Sequence, residues 1–364
     1  MIIPYLDLKK LQQRFSVEDQ QVFAHFLESG QYIGGEFVDQ FENEFARYCG
    51  VTHCIGAGNG LDALTVILKA EAALGNLPPK AKILLPAHTY IATFLSIHNA
   101  GMTPVPVDIE ILNLSITAIQ SCKTQCDAII GVDIYGKLVQ EEVYAFAKAE
   151  NINIYTDTAQ SHGARSSSGR RSGSLARASA FSFYPTKNLG ALGDAGAITT
   201  SNVDLAAMCR KIANYGRTSR FVNDVKGINS RLDPLQAALL SHRLKKLDAD
   251  NAARVAIGAF YYKHINNPLM RLLPAAFLEH NAMHVFPVFV ENRHHFKSYM
   301  SDCGIGTSCH YEQAPHRQEA FKEFNNRSFP IAEQLHETEV SLPCHPLLTL
   351  KEQQYIVNAV NNYL

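Results

Sequence analysis

Between residues 50 and 215, short apolar runs alternate with segments whose apolar positions recur at helical spacing. The runs at 82–85, 104–107, 128–132, 152–155, 178–183 and 197–200 predict strands. Amphipathic stretches at 61–73, 90–99 and 141–149 predict helices between the earlier ones. Strands separated by crossover-length helices imply βαβ units and a mostly parallel sheet. Ligands of such sheets bind at the carboxyl ends of strands. Further on, Asp233 and Pro234 have the chemistry of an N-cap and first helical position, predicting a long helix to about 248 that closes a large domain, 1–248. The remainder, 249–364, reads helix, strand (285–290), helix, loop, helix. The expected fold is therefore α/β, a large αβα domain followed by a smaller α+β domain. The Ser/Gly/Arg-rich stretch 165–174 predicts an exposed loop or hairpin turn.

Composition narrows the class. The chain has 364 residues, 46% hydrophobic and 18% charged, with a net charge of −1, which describes a globular protein with no electrostatic case for nucleic acid or membrane surfaces. No basic region followed by an apolar one opens the sequence, and no apolar run reaches spanning length. A cytoplasmic enzyme is expected. The eight cysteines are scattered and fit no paired zinc spacing, and no H-E-x-x-H occurs, so free thiols and no metal are expected. His294-His295 reads as a solvated loop pair.

The chemistry concentrates at two strand ends. Lys187 follows the apolar run in Phe181-Ser182-Phe183-Tyr184-Pro185-Thr186-Lys187, and Asp157 ends another in Ile154-Tyr155-Thr156-Asp157. Alone, Lys187 reads as a surface lysine and Asp157 as a helix cap. Together, a buried amine and a buried carboxylate on neighbouring strand ends suit pyridoxal phosphate: the amine forms an imine, and the carboxylate keeps the pyridine nitrogen protonated. Imine chemistry needs a lowered lysine pKa, and Phe181, Phe183 and Tyr184 are candidates for the apolar wall that would lower it. The turn Gly58-Asn59-Gly60 before a predicted helix offers backbone amides to a phosphate, and Ser182 could add a hydroxyl. It is neither G-x-G-x-x-G nor a P-loop. Tyr90, near a strand end, reads equally as a ring stacked on the pyridine or as core.

Taken in order, these segments resemble the DegT/DnrJ/EryC1/StrS family of sugar aminotransferases, a branch of the fold-type I pyridoxal phosphate enzymes. The resemblance runs from Ile3-Pro4-Tyr5-Leu6-Asp7 through Asp157-Thr158-Ala159-Gln160-Ser161-His162-Gly163 and the Lys187 segment to Asn229-Ser230-Arg231 and Gly306-Thr307-Ser308-Cys309-His310-Tyr311. It implies Lys187 as the imine-forming lysine and Asp157 at the pyridine nitrogen. It places Gln160 at the cofactor's hydroxyl face, Tyr90 on the ring, and Gly60 and Ser182 at the phosphate. Asn229 would reach the phosphate of a neighbouring subunit's cofactor, which implies a homodimer with shared sites. A lysine at 187, where related dehydratases carry histidine, implies transamination, with L-glutamate as donor and a nucleotide-linked keto sugar as acceptor, for amino-sugar and surface-polysaccharide synthesis.

The Gly58-Asn59-Gly60-Leu61-Asp62 form resembles that of 3-aminotransferases acting on dTDP-3-keto-6-deoxyhexoses; 4-amination of the 4-keto isomer is the alternative. His162, Tyr184, Arg231, His310, Tyr311 and His316 are the candidates for the sugar and nucleotide end. An amino-acid aminotransferase would need an arginine clamp, for which Arg231 or Arg317 are available. A non-enzymatic pyridoxal phosphate-binding regulator is the remaining alternative, disfavoured because no length is left for a DNA-binding module.

Overall fold

Strand Ala128–Val132 is buried at all five positions, the burial of a strand covered on both faces. The computed structural model describes residues 1–122 and 126–364. Among these, seven strands form one sheet: β1 (His53–Ala57), β2 (Lys82–Pro86), β3 (Thr103–Val107), β4 (Ala128–Val132), β5 (Asn153–Asp157), β6 (Ala178–Ser182) and β7 (Gly196–Thr200). Their order is β1-β7-β6-β5-β4-β2-β3. Strands β3, β2, β4, β5 and β6 run parallel. Strand β7 is antiparallel to both neighbours, so β1 again points the same way as β6. The carboxyl ends of β1, β2, β4, β5 and β6 therefore share one edge of the sheet.

The predicted helices form at Gly60–Ala73, Ile91–Asn99 and Glu141–Ala149. Residues 165–174 form a turn bridged between Arg165 and Arg171. Strand β1 was not among the predicted strands. The helix expected over 233–248 breaks at 245–246 into Pro234–Leu244 and Leu247–His264, and the Asp233 side chain makes no cap hydrogen bond. An exposed two-stranded hairpin, β8 (Arg217–Ser219) with β9 (Val222–Asn223), precedes them.

The carboxyl-terminal part pairs β10 (Phe286–Phe289) with β11 (Glu339–Leu342), antiparallel; the second of these was read as loop or helix in the sequence. Helices Arg293–Asp302, Pro330–Thr338 and Leu350–Asn361 complete it. His294 and His295 are exposed but lie in the first of these helices, and His295 bonds the Tyr363 hydroxyl. A division at 248/249 cuts the first turn of the helix Leu247–His264. The amino-terminus also packs with the second unit: the Ile3 amide donates to the Gly304 carbonyl, and the Gly306 amide to the Ile3 carbonyl, both at 2.8 Å. That brings Tyr5 and Leu6 beside the sheet edge that carries Lys187.

Candidate active site

Lys187 sits in the turn after β6, its amide bonded to the Tyr184 carbonyl at 2.8 Å. Gly190 lies so close to the Pro185 carbonyl that a Cβ would meet its oxygen at 2.6 Å, so the return is built for glycine. Next in sequence, Asn188 donates to Asn251 and to the Ala282 carbonyl, each at 2.8 Å, and meets His284 at 2.9 Å. The turn is thus pinned on three sides while no described residue hydrogen-bonds the lysine amine. Burial lowers the Lys187 pKa to about 8, and the charge of Asp157 only partly restores it. The expected wall is different in detail: Phe181 and Phe183 pack with Phe41 and Phe45, and Tyr184 is half exposed.

Asp157, the last residue of β5, is 9% exposed. Its Oδ2 accepts from the Thr93 hydroxyl at 2.8 Å and its Oδ1 from the Ala159 amide at 3.2 Å. Desolvation raises its pKa, opposed by those bonds and by Lys187. A cation placed beside it would therefore be held strongly. Gln160 is buried and held at both ends: Oε1 accepts from the Tyr135 amide at 2.5 Å, and Nε2 donates to the Tyr311 hydroxyl at 2.7 Å. Tyr311 lies against Tyr90, ring centroids 4.8 Å apart. Asp157, Gln160, Tyr90 and Tyr311 thus form one group.

At the end of β1, Asn59 caps the helix Gly60–Ala73, accepting from the Asp62 amide at 2.8 Å. Its side chain is spent on this cap, so Asn59 offers an anion its backbone only. The Gly58 amide is held by the Ser230 hydroxyl at 3.0 Å. A Cβ on Gly60 would lie 2.7 Å from that of Ser182, so only glycine lets the turn and the end of β6 approach this closely. Amides at a helix start, a serine and no bulky side chain make an anion cradle.

The remaining candidates divide. His310 faces the group: its amide donates to Glu339 at 2.6 Å, its Nδ1 meets Ser341 at 2.7 Å, and burial with the nearby Lys187 charge lowers its pKa to about 4. Asn229 is exposed, next to Ser230. Arg231 donates to Asn214 at 3.1 Å, near the glycine turn. His162 is fully buried against Phe181 and Phe183, a packing position with no surface for a sugar. His316 is likewise fully buried, against Phe329 and bonded to Glu333 at 3.0 Å. Both were expected at the substrate end on residue type, and burial corrects both. Sequence reading missed Thr93, Ser230, His284 and Glu339. Thr93 alone had a local signal, a hydroxyl in the first turn of the helix after Tyr90.

A mostly parallel sheet whose strand ends join a buried amine, a buried carboxylate and an anion cradle fits pyridoxal phosphate: Lys187 could hold its aldehyde carbon, Asp157 its ring nitrogen, and the 58–60 turn with Ser182 its phosphate. These features define a fold-type I pyridoxal phosphate-dependent transaminase. The chain belongs to the DegT/DnrJ/EryC1/StrS aminotransferase family, whose pattern matches residues 13–361. It is 43% identical to the dTDP-3-amino-3,6-dideoxy-alpha-D-galactopyranose transaminase of Aneurinibacillus thermoaerophilus, over all of this chain and 99% of that one. It is 34% identical to the dTDP-3-amino-3,4,6-trideoxy-alpha-D-glucose transaminase of Streptomyces venezuelae, over 99% and 96%. The crystal structure of S. venezuelae DesV in complex with a ketimine intermediate superimposes with a TM-score of 0.93 at 35% identity, covering 99% of this chain and 98% of that one.

Proposed function

We propose that this protein is a nucleotide-sugar aminotransferase that moves the amino group of L-glutamate to C3 of a dTDP-3-keto-6-deoxyhexose, in amino-sugar synthesis for surface polysaccharide. The observation that carries the reading is full-length similarity at 43% identity to a transaminase named for a 3-amino-3,6-dideoxy sugar, joined to the Lys187–Asp157 pair. Bound pyridoxal phosphate supplies an electron sink for the charge left when a proton leaves the carbon bearing nitrogen. Asp157, buried beside the Lys187 charge, would pair with the positive ring nitrogen that makes the sink effective. Nζ of Lys187, with a pKa near 8, takes the proton from Cα of the amino acid and returns one to the sugar carbon that gains nitrogen. Thr93 orients Asp157, and Gln160 sets the position of Tyr311. The sugar end falls to His310, Tyr311 and the half-exposed Tyr90 and Tyr184 at the mouth.

A homodimer with shared sites is part of the proposal. It is supported by Asn229, exposed beside the phosphate turn, and by the exposed apolar side chains of Tyr215, Phe221 and Val222 in and beside the β8–β9 hairpin. The test is a half-reaction. Enzyme converted to its pyridoxamine form with glutamate and freed of donor is given dTDP-3-keto-6-deoxyhexose or dTDP-4-keto-6-deoxyglucose. Return of the lysine-bound cofactor absorbance with the first alone supports 3-amination; return with the second alone makes the enzyme a 4-aminotransferase.

A further inference from the structure

Strand β11 carries Glu339 and Ser341 two positions apart, so both side chains project from one face, and both are fully buried. Beside it runs the segment 308–311. Ser308 pairs with Ser341 in an antiparallel bridge, the Ser341 amide donating to the Ser308 carbonyl at 2.8 Å. That brings His310 to both side chains. Its amide donates to Glu339 Oε2 at 2.6 Å, its carbonyl accepts from the Tyr135 hydroxyl at 2.6 Å, and its Nδ1 meets the Ser341 hydroxyl at 2.7 Å. The Ser341 hydroxyl in turn donates to Glu339 Oε1 at 2.5 Å. Carboxyl, hydroxyl and imidazole close a ring of hydrogen bonds in the protein interior.

The polarity of that ring is forced. A hydroxyl has one proton, and an ionised carboxylate only accepts. Desolvation raises the Glu339 pKa to about 7, so above that pH both of its oxygens accept, one from the His310 amide and one from Ser341. With its single proton spent there, Ser341 can only accept from His310, which puts the imidazole proton on Nδ1. Tyr5, kept protonated by burial, also lies by Ser341; a hydroxyl oxygen has two lone pairs and can take both donors. His310 itself is neutral, because burial and the Lys187 charge lower its pKa to about 4. Its Nε2 is then a bare acceptor. No described residue hydrogen-bonds that nitrogen, and the ring lines a cleft of about 330 Å³ with Tyr5, Thr186, His284 and Ser308, beside the turn that carries Lys187.

We propose that Glu339 and Ser341 are positioning residues that fix His310 as the Nδ1–H tautomer, so that Nε2 accepts a hydrogen bond from a hydroxyl of the sugar. A hydroxyl can donate to such a nitrogen, whereas a ketone oxygen has no proton to give and would set lone pair against lone pair. The acceptor therefore tells a hydroxyl-bearing carbon from the carbonyl carbon beside it, which is the difference between 3-keto and 4-keto isomers. The tautomer follows from the protein alone; its use rests on the reading of the acceptor as a keto sugar with His310 at the sugar end.

The test is the ¹⁵N NMR spectrum of holoenzyme labelled in its histidine rings, taken at about pH 8, above the Glu339 value. The His310 signals are identified by their loss in His310→Phe. Wild type should show the proton on Nδ1 and none on Nε2. In Glu339→Gln the side-chain oxygen must face the His310 amide, since the other orientation sets two donors together. Its NH₂ then donates to Ser341, the Ser341 proton turns to Nδ1, and the His310 proton should move to Nε2. A merely structural role for Glu339 would not move it. With the acceptor turned into a donor, kcat/KM for the keto sugar should fall about 10-fold, the worth of one hydrogen bond, while the glutamate half-reaction changes by under about 3-fold. Ser341→Ala should cost the sugar half about as much, and adding it to His310→Phe should cost nothing further. A proton on Nε2 in wild type overturns the assignment whether or not the variants fold, and so does an unmoved proton in folded Glu339→Gln. Equal losses in both half-reactions would overturn the role at the sugar. If the sugar reading itself is wrong, wild type fails with the keto sugar, and the ¹⁵N spectrum still decides the tautomer.

Discussion

The hydroxyl of Thr93 donates to Oδ2 of Asp157 at 2.8 Å, and a second hydroxyl, Thr89, meets Thr93 at 2.7 Å behind it. A short polar chain through Thr93 on the helix Ile91–Asn99 thus supports the charged form of the Asp157 carboxyl against the desolvation that raises its pKa. Thr93→Val removes that support at nearly constant volume. We expect kcat to fall about 10-fold, the worth of one hydrogen bond to a charged group. Because burial already raises the Asp157 pKa, losing Thr93 raises it further, so the acid limb of the kcat profile should move to higher pH. An unmoved limb would detach Thr93 from the mechanism.

Asp157→Asn keeps the shape and removes the charge. Turnover should drop by roughly 10²–10⁴-fold with thermal stability retained, since the loss is of proton-transfer power. Lys187→Ala should abolish turnover, and normal turnover in it would remove Lys187 from its role. In wild type, the proton-transfer step should speed up as pH rises toward about 8, where the Lys187 amine loses its proton.

Lys187 and Asp157 were legible in sequence because each ends or follows a local apolar run, and their strands fall where the runs were. The direction of β7 was not legible: the connections 158–177 and 183–195 both lack a helix, yet the first joins parallel strands and the second antiparallel ones. The missing signals are long-range. Thr93 and Asp157 are 64 positions apart, and Arg254 and Cys344 90 apart, so nothing local marks them as partners. His162 and His316 misled for the converse reason: an imidazole is a plausible sugar ligand by chemistry, and only burial shows that these two pack against phenylalanines instead.

Among the described residues Glu339 makes no ion pair, and desolvation raises its pKa to about 7 against the weaker pull of Arg293 and Lys297. A folded-state value above the unfolded one means its contribution is fully present below about pH 4.5 and is lost as pH rises through 7. Glu339→Gln should therefore be stabilised relative to wild type at pH 8 by about 3 kcal/mol and show little difference at pH 5. Thermal denaturation at the two pH values checks it; equal differences at both would contradict the buried, strained carboxylate.

Asn59 is where sequence resemblance and structure diverge in meaning. The residue belongs to a turn that resembles that of 3-aminotransferases, yet its side chain caps the helix Gly60–Ala73. Asn59→Ser preserves a cap, so stability should change by only a few tenths of a kcal/mol, whereas Asn59→Ala should cost about 1 kcal/mol. Neither should alter the preference between 3-keto and 4-keto sugars. A switch in that preference would make Asn59 a specificity residue.

The central claim is a transfer of nitrogen from glutamate to one sugar carbon. Incubating the holoenzyme with ¹⁵N-glutamate and dTDP-3-keto-6-deoxyhexose, and locating the label in the product by NMR, tests both ends at once. Label on C3 is the predicted result; label on C4, or a sugar without ¹⁵N, would contradict it.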